Sequence, residues 1–83
     1  MSDTAYVELV RKMMSELLGT PDIEETDDLY SAGGDSFTAI RLAWRLSEAT
    51  GVELNVAEDI MPEPTPCAIA RILADRSPGA VAE

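Results

Sequence analysis

Apolar residues recur at spacings of three and four in three blocks of this 83-residue chain, and each block is bounded by glycine or proline. That period sets side chains on one side of a helix, so the chain reads as all-α. The first block covers about residues 4–18. Tyr6, Val10, Met13 and Leu17 share a face, and Val7, Leu9, Met14 and Leu18 widen it. Glu8, Arg11, Lys12 and Ser15 fall opposite and are expected to be solvated. Asp3 or Thr4 offers a cap, and Gly19 with Pro21 a stop. The second block covers about residues 36–50 and stops at Gly51. The last opens at Thr65-Pro66, a capping threonine followed by proline at the first helical position, and runs to about Arg76 with Ile69, Ile72 and Leu73 inward. Residues 77–83 are expected to fray.

The connections are unequal. Residues 20–34 form a long acidic loop carrying Asp22, Glu24, Glu25, Asp27 and Asp28. It lacks the ligand order of an EF-hand, so a solvated loop is expected and no metal site. Ile23, Leu29 and Tyr30 are its expected anchors, because a loop of this length needs some in a compact domain. After Gly51, Val52, Leu54 and Val56 alternate with polar residues. A lone strand would have no partner, so an extended connector is expected. Residues 57–61 are expected to form one short helix or a single 3₁₀ turn, ended by Pro62 and Pro64.

The second helix begins at a distinctive junction, Gly33-Gly34-Asp35-Ser36. Asp35 is a good N-cap, which makes Ser36 one of the first helical residues, with its hydroxyl at the mouth of the loop. A helix N-terminus carries spare N–H donors and partial positive charge, and so tolerates a phosphate. The paired glycines allow a sharp turn and the close approach of another macromolecule. Beyond the junction the helix has two apolar stripes, Ala39, Leu42, Ala43 and Leu46, and then Phe37, Ile40 and Trp44. Arg41, Arg45 and Glu48 separate them on the outer side. One stripe suffices for packing. The second either packs under the acidic loop or against the following helix, or faces a partner.

Composition removes several function classes. The net charge of −10 disfavours nucleic acid. No apolar run reaches membrane-spanning length and no leader pattern opens the chain, so a cytoplasmic protein without membrane contact is expected. The single cysteine, Cys67, excludes an internal disulfide and offers no metal spacing; it is either a reactive thiol in the last helix's first turn or a small packing residue. The chain has no histidine, the usual base for a serine nucleophile, and the residues around Ser36 do not complete a G-x-S-x-G elbow. Ser36 is therefore not expected to activate itself; if it is modified, another enzyme supplies the base.

Gly33-Gly34-Asp35-Ser36, followed by Phe37, Ala39, Leu42 and Leu46, resembles the attachment motif of the acyl and peptidyl carrier proteins of fatty-acid, polyketide and nonribosomal-peptide synthesis. The likeness runs from the first helix to about Leu73, and the paired glycines resemble the peptidyl type. The resemblance implies a four-helix bundle, with three longer helices, one short helix and a long first loop, as a single carrier domain over residues 1–83, ordered over about 4–76. It implies 4'-phosphopantetheine from coenzyme A esterified to Ser36, with Gly33, Gly34 and Asp35 completing the motif, and a thioester-bound aminoacyl, peptidyl or acyl intermediate. It also implies a non-catalytic, monomeric carrier, free-standing if the chain is the whole natural product. The implied partners are a phosphopantetheinyl transferase, an adenylation or acyltransferase loading enzyme, and condensation, tailoring or thioesterase enzymes. In that family the second helix is the main recognition surface, which tips Phe37, Ile40, Arg41 and Trp44, with Met61, toward partner binding. An acyl carrier of fatty-acid or polyketide type, and a helical interaction module without an arm, are the alternatives. The stretch ahead of Pro64-Thr65 is one residue longer than the family's usual pattern, which leaves the register of the short helix open.

Overall fold

The computed structural model describes residues 3–76. The expectation for residues 77–83 lies outside them. Helix α1 spans Asp3–Leu18, α2 spans Ser36–Thr50, a short turn spans Val56–Ile60 and α3 spans Pro66–Arg76. Asp3 and Thr4 both fall within the span of α1. Gly19 ends α1 with φ 72°, and its N–H donates to the Ser15 carbonyl at 2.9 Å. Gly51 ends α2 in the same way with φ 78°, a conformation that glycine adopts without a Cβ clash.

The core lies where α1 packs against α3 and α2. The buried line of α1 is Tyr6, Val10 and Met14, while Met13 and Leu17 are only half-buried. The face is thus turned toward Met14, because α1 has neighbours on two sides and its deepest residues sit between them. From α2 come Ala39, Leu42, Ala43 and Leu46, and from α3 Ile69, Ala70 and Leu73. Ile72, expected inward, is half-buried, and Ala70 lies deeper. Ile23, Leu29, Val52 and Ile60 close the core from the connections.

Polar contacts pin the long loop alongside its apolar anchors. Arg11 and Ser15 are not simply solvated. The Arg11 Nε–H donates to the Ile23 carbonyl at 2.7 Å, and the Ser15 hydroxyl donates to the Thr20 carbonyl. Further along, Leu29 N–H donates to the Pro64 carbonyl and Cys67 N–H to the Glu25 carbonyl, both at 2.9 Å. Asp27 and Asp28 turn the loop by accepting backbone N–H bonds from Glu24, Tyr30 and Ser31.

Two short-range expectations change. The turn at Val56–Ile60 is wider than an α or 3₁₀ turn: Met61 N–H donates to the Val56 carbonyl five residues back, at 2.8 Å. Such a ring encloses one residue more than an α turn. Asn55 caps the turn through its side-chain oxygen on Glu58 N–H at 3.0 Å. Tyr30 is not a buried anchor; it is half-buried, with its hydroxyl on the Met61 sulfur. At Thr65-Pro66 the structure follows the sequence, with the Thr65 hydroxyl oxygen accepting from Ala68 N–H at 3.2 Å.

Candidate functional site

The junction into α2 is built from a turn, a close packing contact and a cap. Gly33 takes φ 109°, a region that side-chain-bearing residues rarely enter. Gly34 is needed for a different reason. A Cβ there would lie 2.9 Å from both the Leu29 carbonyl oxygen and Leu29 Cγ, and 3.1 Å from Leu18 Cδ2. The close approach at Gly34 is therefore made by the chain's own loop and first helix. Gly34 N–H also donates to the Leu29 carbonyl at 2.8 Å, which fixes the chain as it enters the helix.

Asp35 is the N-cap, with extended backbone, and its Oδ1 accepts from both Thr38 N–H and the Thr38 hydroxyl at 2.9 Å. These bonds, led by the backbone N–H, hold its carboxyl below the ordinary carboxylate range, so it is ionised at neutral pH. Ser36 is the first residue of α2 and is exposed. Its hydroxyl thus stands on a rigid support, at the positive end of a helix and beside a fixed negative charge. An exposed primary hydroxyl in this position accommodates a phosphodiester-linked group, since nothing bulky stands over it and the helix end favours the phosphate. Among the described residues no cluster of histidine, cysteine, aspartate and glutamate could hold a metal ion. No described helix is long and apolar enough to cross a membrane.

The two stripes of α2 divide cleanly. Ala39, Leu42, Ala43 and Leu46 are buried, whereas Phe37 is 67% exposed, Ile40 52% and Trp44 66%. Trp44 therefore does not pack under the acidic loop. Met61, at the end of the short turn, is 42% exposed. Arg41 is exposed on the same side. Arg45 reaches back to Glu16 on α1 at 3.2 Å. A groove of about 350 Å³ runs along the exposed stripe, lined by Ile40, Ala43, Trp44 and Ser47 from α2 and by Glu53, Leu54 and Val56 from the connector.

Sequence reasoning missed two features of this region. Leu54 and Val56 are half-buried groove walls rather than mere connector anchors. Asp59 is the buried charged residue of the described core, 6% exposed, and Arg76 grips it with both nitrogens at 2.7 and 2.9 Å. Asn55 followed by Glu58 three residues on is a capping signature that could have marked the turn. Nothing local marks the partnership of Asp59 with Arg76, seventeen positions apart. Cys67 is half-buried at the start of α3.

A family model described as a phosphopantetheine attachment site matches residues 8–73. Among curated proteins, the chain is 29% identical over 72 residues to a probable non-canonical nonribosomal peptide synthetase, CymA, of Salinispora arenicola (strain CNS-205). That alignment takes in 87% of this chain but spans only 1% of the synthetase's length. Among solved structures, the chain superposes with a TM-score of 0.82 and 30% identity on an A1-type ACP domain from module 5 of MLSA1, over 94% of this chain and 80% of that one. It also superposes on a chain of the complex of the phosphopantetheine transferase Sfp with coenzyme A and a peptidyl carrier protein. There the TM-score is 0.81 at 24% identity, over 86% of this chain and 91% of that one, which is a likeness of fold.

Proposed function

The chain belongs to the phosphopantetheine attachment site family, and from that premise we propose that Ser36 bears the 4'-phosphopantetheine of a carrier domain in nonribosomal peptide assembly. The observation that carries this reading is the exposed Ser36 hydroxyl on the first residue of α2, held there by the Asp35 cap and by Gly34 packed on Leu29. The arm, when attached, supplies a terminal thiol that carries an aminoacyl or peptidyl cargo as a thioester. The protein's own residues present that attachment point and offer a surface beside it. The chain has no histidine to serve as general base for Ser36, and Oδ1 of the adjacent Asp35 is taken up by Thr38. A transferase of the Sfp kind therefore activates the hydroxyl, and the domain itself turns nothing over. The whole of residues 1–83 acts as one carrier domain. Phe37, Ile40, Arg41 and Trp44, with Met61, form the face that meets the transferase, the loading enzyme and the enzymes that use the cargo.

The test is intact mass after incubation with coenzyme A and Sfp. The expected result is one added phosphopantetheine on the unaltered protein and none on Ser36→Ala, which folds normally. A mass shift that persists in Ser36→Ala would overturn the assignment. Hydrolysis of a model ester well above background, lost in Ser36→Ala, would overturn the non-catalytic reading. A second reading, an acyl carrier of polyketide type, is favoured by the likeness to the ACP domain. Loading of the arm by an adenylation enzyme with its amino acid supports the first reading, and loading by a malonyl transferase alone supports the second.

A further inference from the structure

We propose that Asp59 and Arg76 are positioning residues for partner docking: their ion pair holds the short turn Val56–Ile60 on the end of α3 and so fixes the wall of the groove that faces the exposed stripe of α2. The proposal rests on the reading of that stripe as the docking surface.

A turn of this size does not hold itself, because short helical segments are marginal without tertiary support. Within it, Asn55 Oδ1 accepts from Glu58 N–H and the Val56 carbonyl accepts from Met61 N–H. Ile60 sends one buried side chain into the core. With Val56 packed half-buried against the core beside it, these apolar contacts form one non-directional anchor, whereas a second, polar anchor sets the orientation of the turn. Asp59 is that second anchor. Its carboxylate accepts from Arg76 Nη1 at 2.7 Å, from Arg76 Nη2 at 2.9 Å and from Asn55 N–H at 2.8 Å.

The choice of chemistry is informative. Burying the Asp59 carboxylate costs more than burying an apolar side chain of similar size, and because its partner Arg76 is half exposed the pair adds little net stability. What a guanidinium fork adds is direction, because two parallel bonds fix the angle between the groups. The group whose direction is fixed carries Val56, which lines the groove with Ile40 and Trp44, and it ends at Met61, whose sulfur meets the Tyr30 hydroxyl. The pair thus orders one side of the proposed docking face without touching Ser36 or a partner.

The experiment uses the full chain with Sfp and coenzyme A as probe, and reads kcat and the KM for the carrier together with backbone hydrogen exchange. In Arg76→Gln, exchange over residues 57–61 is expected to rise about tenfold while α1 is unchanged. The KM is expected to rise about three- to tenfold at constant kcat, the mark of lost docking rather than lost chemistry. Arg76→Lys is expected to recover part of the KM, since it restores the charge without the fork. The double variant Asp59→Leu with Arg76→Leu covers the case in which Arg76→Gln unfolds: it keeps the turn packed but removes the fork. It is expected to melt like the unaltered protein and still show the raised KM. A wild-type KM in a folded double variant, with Met61→Ala raising it, overturns the proposal and leaves the docking reading standing. A wild-type KM in both Met61→Ala and Trp44→Ala overturns the docking reading itself.

Discussion

Gly34 and Asp35 prepare Ser36 by different physical means, one by having no side chain and the other by spending its side chain on the backbone. Gly34→Ala would drive a Cβ to 2.9 Å from a backbone oxygen, which cannot move aside as a flexible side chain could. The substitution is expected to cost about 1–3 kcal/mol, the usual range for overpacking, measured as a shift in the denaturant midpoint. An unchanged midpoint would mean that the loop carrying Leu29 shifts freely, against its bond to Pro64. Asp35→Asn keeps the capping oxygen and removes the charge. It is expected to leave stability nearly unchanged while altering the rate of Ser36 modification, which separates the cap from the electrostatics. The glycine pair was legible in the sequence as a turn, but the reason for Gly34 was not. Its neighbours Leu29 and Leu18 lie five and sixteen positions away, and only the folded chain brings the second of them to it.

For α2, the division of labour between its two stripes makes a paired prediction. Leu46 is fully buried, so Leu46→Ala is expected to cost about 2–5 kcal/mol. Trp44 is 66% exposed, so Trp44→Ala is expected to cost clearly less in a denaturant melt, yet to weaken transfer by partner enzymes. Severe unfolding of Trp44→Ala, or full transfer with the fold intact, would contradict the partner-surface reading. Both stripes could be seen in the sequence from the helical period. The first reads as the packing stripe, as the structure has it; where the second points was not legible, because period alone gives the angle between stripes and not what lies beside them. The same limit explains α1, where Met14 rather than Met13 lies deepest. The bounds of α2 and α3 were legible because aspartate, threonine-proline and glycine mark them chemically. A short turn near residues 57–61 was legible too, from the prolines that end it, but its five-residue width was not, since nothing in the local pattern separates it from an α or 3₁₀ turn.

At the scale of the whole molecule, the same pair contributes a defined part of the response to acid. Arg76 and the Asn55 N–H hold the Asp59 carboxyl below its ordinary value of 3.8. A group with a depressed folded pKa stabilises the fold above its unfolded pKa and loses that contribution as pH falls through the folded value. The stability difference between the unaltered protein and Asp59→Asn is therefore expected to be constant from pH 7 to about pH 5 and to shrink below about pH 4. Denaturant melts at pH 7 and pH 3 measure it, and a difference that grows on acidification would contradict the assignment. The comparison between variants cancels the effect of the other acidic residues, which a net charge of −10 makes large. The junction before α2 has a mechanical consequence as well. Gly34 is bonded and wedged against Leu29, Leu29 is bonded to Pro64, and the cap locks the first turn. Anything joined to the Ser36 oxygen then swings from a fixed pivot: the mount contributes no slack, and all the reach lies beyond the hydroxyl. On the proposed docking reading, an enzyme that seated Trp44 would by the same act locate the centre of the sphere it must search.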